Sequence, residues 1–121
     1  MKLLTHTRRP DISFSCRGII RLTARLVTSL SLKPGDSINI DVVNGEYLLY
    51  AIRNTDNIGR HEAQCYPSKK GYRNYCANSV HLCRAILAST GVSGDKVSYM
   101  VGLAFIRDNI TYVPIITQRP L

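Results

Sequence analysis

Three histidines and four cysteines are the side chains of this 121-residue chain best suited to chemistry. Their spacing decides what they can do. His81 and Cys83 stand two residues apart, as a base and a thiol nucleophile would be supplied, yet neighbours at that spacing on a strand-to-helix junction point in different directions. His61, Cys65, Cys76 and His81 form a zinc-compatible donor set, but lack the Cys-x-x-Cys spacing that holds two thiolates together. His6 stands apart. No acidic pair, phosphate-binding glycine loop or dinucleotide fingerprint occurs. The sequence therefore predicts no catalytic residues, no metal and no cofactor, and the chain is read as a non-enzyme. Cys76 and Cys83 suit the role of small buried hydrophobes, and Cys65 that of a loop residue.

The bases fit a recognisable chemistry better. Sixteen Lys and Arg against eight Asp and Glu leave a formal charge of +8. Seven of the bases fall between Met1 and Lys33, with Asp11 as the only acid, and five more fall between Arg53 and Arg73 with two acids. Clustered positive charge raises local potential and attracts phosphate backbones. The candidate phosphate contacts are Arg17, Arg21 and Arg25 in the first cluster, Lys69, Lys70 and Arg73 in the second, and Arg84 beyond them. Tyr66, Tyr72 and Tyr75 interleave with the second cluster, a composition that stacks bases. The same rings suit a lid over a small core with their hydroxyls left wet. Arg8-Arg9-Pro10 reads either as a phosphate-gripping arm or as a frayed terminus.

Short elements must position these residues. Ile12, Phe14, Cys16, Gly18, Ile20 and Leu22 alternate with Ser13, Ser15, Arg17 and Arg21, which predicts one half-buried strand with both arginines on its polar side. Thr23 is placed to cap a helix over Ala24–Ser31. Pro34-Gly35 fits a type II turn, and Ser37–Val43 with Glu46–Ile52 form a hairpin about the type I′ signal Asn44-Gly45. Further on, the pattern predicts a strand at Ser79–Leu82, a helix at Cys83–Thr90, a strand at Lys96–Ile106, a turn at Asp108-Asn109 and a strand at Ile110–Thr117. Pro114 requires that last strand to lie at an edge or to carry a bulge. Residues 54–71 show no period and read as a basic loop, long enough to be functional or mobile.

The two halves share one pattern. With a shift of 60 and one deletion in the turn, Leu22 meets Leu82, Leu26 meets Ile86, Val27 meets Leu87, Ser29 meets Ser89, and Gly35-Asp36 meets Gly94-Asp95. A unit repeated at this period buries its apolar face against its neighbour. The expectation is a single domain, mostly β with short helices, in which β-α-β-β units at 12–53 and 72–117, joined by loop 54–71, close into a barrel-like pseudo-dimer. Leu22, Leu26, Ile38, Leu82, Ile86 and Val97 should share its core.

The run from Ile20 to Asp36, with Leu32-Lys33-Pro34-Gly35-Asp36 closing a short helix and a hairpin about Asn44-Gly45 following, resembles the AbrB/MazE/SpoVT family of swapped-hairpin domains. Leu82, Ile86, Gly91-Val92 and Gly94-Asp95 carry the likeness into the second copy. The chain departs from the family pattern where Thr23 and Cys83 replace a helix-opening proline, where Val27 and Leu87 replace a frequent arginine, and at Ser31. The resemblance implies an intertwined dimer reproduced within one chain. It also implies DNA contact through basic residues of the first strand and helix, here Arg17, Arg21 and Arg25, with His81 and Arg84 in the second copy.

The resulting expectation is a DNA-binding protein of transcriptional-regulator or antitoxin type, either a monomeric pseudo-dimer or a homodimer. The alternative is a non-catalytic protein-interaction or assembly module with a solvated basic surface. No apolar run approaches the roughly 18 residues needed to span a bilayer, and Met1–Leu4 is too short for a signal segment. A cytoplasmic location with reduced thiols and no membrane partner is the corresponding expectation.

Overall fold

The computed structural model describes residues 10–54, 62–69 and 73–118. In chain order its elements are β1 (Ile12–Ser15), β2 (Ile19–Leu22), α1 (Ala24–Ser29), β3 (Ser37–Val43), β4 (Glu46–Ile52), β5 (Tyr66–Pro67), β6 (Tyr75–Asn78), α2 (Val80–Ser89), β7 (Lys96–Val101), β8 (Phe105–Arg107) and β9 (Ile110–Ile116). Every strand pairing is antiparallel. The strands follow the order β3-β4-β9-β7-β1-β2-β6-β5, with β8 beside β9, and the sheet curls into an open half-barrel. The chain is mostly β, as its alternation predicts.

Local turn chemistry folds as the sequence dictates. Asn44 and Gly45 have φ of 51° and 78°, and Asp108 and Asn109 have 52° and 64°, so both hairpins close on type I′ turns. Gly35 supplies φ of 93°, and the Asp36 N–H donates to the Lys33 carbonyl at 3.0 Å, closing the type II turn. The two helices end alike. Ser31 and Gly91 are left-handed, while the Leu32 N–H reaches the Val27 carbonyl and the Val92 N–H reaches the Leu87 carbonyl, both at 3.0 Å. These six-to-one bonds satisfy carbonyls that a helix end otherwise leaves open.

Long-range packing overrules four local expectations. The first concerns Ile12–Leu22, which is two strands and not one, because the chain reverses at Cys16–Gly18 and β1 inserts between β2 and β7. Gly18 permits the turn with φ of 92°, and a Cβ there would sit 2.7 Å from Val80 Cγ2, so the reversal packs tightly on the start of α2. Ile12, Phe14, Ile20 and Leu22 still face inward, since the turn preserves their parity. The second concerns Ser79–Leu82, which is not a strand: β6 precedes it, and Ser79 caps α2 by accepting from the Leu82 N–H at 3.0 Å. Leu82 is consequently half-buried on a helix, whereas Leu22, Leu26, Ile38, Ile86 and Val97 are buried.

The third correction concerns the stretch expected to be a loop. Within it Ala63 and Cys65 are buried, β5 pairs with β6, and residues 62–65 bond the start of β3 through Cys65 N–H to Asp36 O at 2.7 Å and Ile38 N–H to Ala63 O at 3.2 Å. The fourth concerns Lys96–Ile106, which breaks at Gly102–Ala104. Between the pairs Val101↔Ile115 and Phe105↔Tyr112, four residues advance on one side against three on β9, the count of a bulge. Pro114 lies opposite the break, and its carbonyl still accepts from the Gly102 N–H at 2.8 Å. β9 is thus an interior strand, and the irregularity required by Pro114 falls on its partner.

One cluster of buried side chains draws on both sequence halves, including Phe14, Ile20, Leu26, Leu49, Ile86, Tyr99 and Val113. α1 is shorter than expected, and Thr23 occupies its N-cap position without capping it. The Thr23 hydroxyl is buried with no hydrogen-bond partner among the described residues, and Asn74 Oδ1 accepts from the Ala24 N–H at 2.8 Å instead. Removing a buried, unbonded hydroxyl relieves a desolvation cost. Thr23→Val is therefore expected to leave thermal stability unchanged or raised, whereas Asn74→Ala should lower it by about 1 kcal/mol. A stability loss of that size in Thr23→Val, measured by denaturant unfolding, would contradict this account.

Candidate nucleic-acid interface

The strand register builds a polar row across the outer face of the sheet. Ser98 of β7 lies opposite Ser13 of β1, Ser13 opposite Arg21 of β2, Arg21 opposite Cys76 of β6, and Cys76 opposite Tyr66 of β5. Lys96 lies opposite Ser15 in the next outward row. Directly opposed residues share a face, so Arg21, Lys96 and the ring of Tyr66 project from one side. Arg21 and Lys96, with Ser13, Ser68, Asn74 and Ser98, border a hollow of about 260 Å³ that no carboxylate among the described residues lines.

Three more predicted bases adjoin, in sequence, residues that line this hollow or bond to them. The N–H and hydroxyl of Ser68 both donate to the Asn74 carbonyl, at 2.9 and 3.1 Å, which pinches the base of the segment carrying Lys69 and Arg73. The Ala24–Asn74 hydrogen bond ties the start of α1, which carries Arg25, to the same segment. All of these bases are exposed. Lys70 and Tyr72, like His6, Arg8, Arg9 and His61, lie outside the described residues.

The structure separates Arg17 and Arg84 from that group. Arg17 belongs to the β1–β2 turn and not to a continuous strand with Arg21, so strand alternation does not align the two. It borders a different hollow of about 340 Å³, beside Glu62, Ser79 and His81 at the start of α2. There Glu62 accepts from the Ser79 hydroxyl at 2.7 Å and pairs with His81 Nδ1 at 2.9 Å. Those two hydrogen bonds hold the Glu62 carboxyl below its ordinary range. Arg84 lies on α2, exposed, away from the β1–β2–β6 face.

The cysteines do not converge on chemistry. Cys65 is enclosed, and burial, reinforced by the nearby Asp36 charge, pushes its thiol up to about 12. Burial also raises the Cys83 thiol, whose Sγ lies 3.8 Å from the Ile19 carbonyl while His81 is engaged by Glu62. Cys76 faces outward in the row with Arg21, opposite to the face of Cys65, and is half-buried. Tyr75 is a core residue and no lid, and Tyr66 stands 51% exposed.

Sequence reasoning missed Lys96 and Asn74. Lys96 was legible only as a base near the start of a strand, because its proximity to Arg21 depends on β1 standing between β2 and β7. Asn74 carries no motif at all. No protein-family model matches the chain, and no curated protein or solved structure matches it.

Proposed function

We propose that the chain binds duplex DNA through the outer face of β1, β2 and β6, in the manner of a transcriptional regulator or antitoxin. The observation that carries this reading is the convergence of Arg21 and Lys96 in a hollow that no carboxylate among the described residues lines, with Lys69 and Arg73 next to its lining residues Ser68 and Asn74, and Arg25 next to Ala24, which Asn74 bonds. Spaced cations that track a curved polyanion displace its counterions, and the exposed Asn74 amide, whose oxygen is engaged by Ala24, has its NH2 to donate to a phosphate oxygen. Support for the swapped-hairpin reading is local: matching helix ends at Ser31 and Gly91, matching type I′ turns, and one core shared by both halves. On that reading the chain is two fused β-α-β-β copies, with β1 as an addition that gives the first copy the basic face.

The test is a fluorescence titration of mixed-sequence duplex DNA at several salt concentrations. Arg21→Ala, Arg25→Ala and Arg73→Ala should each flatten the log–log salt slope by roughly 0.9 for every phosphate the variant no longer neutralises. Arg17→Ala and Arg84→Ala should change it little, because these residues stand off the hollow. Absence of binding at low salt, or unchanged slopes in all of Arg21→Ala, Arg25→Ala and Arg73→Ala, removes the proposal.

A further inference from the structure

The sheet ends at β3 on one side and β5 on the other. Among the described residues, only the start of β3 is covered, where Ser37 bridges Gln64 and the Ile38 N–H donates to the Ala63 carbonyl. That bond sets the phase of the strand. In an antiparallel ladder alternate residues direct their N–H and C=O groups away from the partner, so Ile38, Ile40 and Val42 turn theirs from β4 toward the edge. Ile40 N–H is occupied by Asn39 Oδ1 at 2.8 Å, a stop made by a single side chain. Val42 is 56% exposed.

Two hollows of about 380 and 180 Å³ run along this edge and share Leu82. Ile38 and Asn39 face Ser79, His81 and Glu62 across the first, and Ile40 and Val42 face Ala85 and Ile86 of α2 across the second. A hydrogen bond between the Tyr47 and Ser89 hydroxyls ties β4 to α2 beside the second hollow. Among the described residues, neither Lys nor Arg lines either hollow, and neither hollow shares a residue with the basic hollow around Arg21. The charged side chains supplied by β3, the first residue of β4 and Glu62–Ala63 are Asp41, Glu46 and Glu62, all exposed; Glu62 lines the first hollow, while Asp41 and Glu46 alternate with the trough residues Ile40, Val42 and Tyr47 and border the edge from its other face. This is an acidic margin on a strongly basic chain.

We propose that the β3 edge and its trough bind an extended segment of a partner protein by strand addition, the segment carrying small apolar residues at alternate positions with Lys or Arg flanking them. The Ile40 carbonyl and the N–H and carbonyl of Val42 supply the ladder, which the Ile40 N–H joins when Asn39 Oδ1 releases it, and the trough against α2 accepts every second side chain. Charge selects the occupant. A second copy pairing β3 with β3 would set like carboxylates against one another, which is unfavourable, whereas basic flanks meet them with opposite sign.

The experiment uses fluorescence anisotropy of a labelled synthetic peptide that alternates valine and threonine between flanking lysines, titrated with the full chain. Saturable binding is expected, weakened about tenfold or more when glutamates replace the lysines. Val42→Pro removes an outward donor without removing a bond to β4, and Ala85→Arg obstructs the trough from an exposed helix position; each should weaken binding by a similar factor, with circular dichroism verifying the fold. If Val42→Pro fails to fold, Ala85→Arg decides alone. Equal affinity for the two peptides, or unchanged affinity in the folded variants, overturns the proposal. So does a homodimer in sedimentation velocity that Val42→Pro or Ala85→Arg dissolves, since the occupant is then a second copy.

Discussion

Replacing Asp36 with alanine is expected to lower the unfolding free energy by about 3 kcal/mol, because its carboxylate holds together three parts of the chain. The side chain is 5% exposed and accepts from the Lys33 N–H at 2.9 Å, the Asn54 N–H at 3.0 Å and Arg53 Nη1 at 3.0 Å. Arg53 in turn donates to the Ser31 and Leu30 carbonyls at the end of α1, both at 2.9 Å. Alanine leaves two backbone donors and the guanidinium without this partner. Burial alone would push the Asp36 carboxyl up, but the bonds from Lys33 and Asn54 and the contact with Arg53 outweigh it and hold the group below its ordinary value. The folded chain therefore keeps the carboxylate charged where the unfolded chain has taken up a proton. Its contribution is complete above the unfolded-state pKa and is lost as the pH falls through that value toward the folded one. The stability difference between wild type and Asp36→Asn should thus be constant above about pH 5 and shrink below about pH 4. Guanidinium unfolding across that range measures it; a difference that stays constant at low pH would show that the charge contributes nothing.

Phe14→Ala should cost about 3–5 kcal/mol, the range for emptying an enclosed aromatic site. Phe14 is fully enclosed, with its ring centroid 6.4 Å from that of Tyr99. Its strand pairs with β2 on one side and β7 on the other, so it joins elements from the two ends of the chain. The loss should be global, appearing as one cooperative transition at reduced denaturant midpoint by both tyrosine fluorescence and far-ultraviolet circular dichroism. Two separated transitions, or a loss below about 1 kcal/mol, would mean that the halves hold independent cores.

Both expectations concern places where local and distant information meet, and the sequence was readable to different depths there. The Lys33-Pro34-Gly35-Asp36 turn, the two hairpin turns and the paired ends of α1 and α2 follow from residues within a few positions of one another. Asn44, Gly45 and Gly91 announce their backbone angles, and alternation at the start of β3 announces that Ile38 goes inside, whereas the adjacent Leu48 and Leu49 of β4 are both buried. The candidate bases were also visible as types, but not as a site. Arg17 and Arg21 looked like neighbours on one strand until the turn at Gly18 placed β1 against β7. That choice depends on Val80 packing over Gly18 and on Ile12, Phe14, Val97 and Tyr99 meeting inside. Periodicity could not reveal it, since a chain reversal that preserves parity leaves the alternation intact. For the same reason Lys96 joins Arg21 only through strand order, and Cys65, set in a stretch without period, is buried because its backbone bonds the Asp36 turn. The sequence alone determined the mostly β character, the turns and the excess of positive charge, because those depend on short-range sterics and composition. Tertiary structure decided which bases share a face and which strand edge stays open, because both depend on pairings between residues distant in the chain.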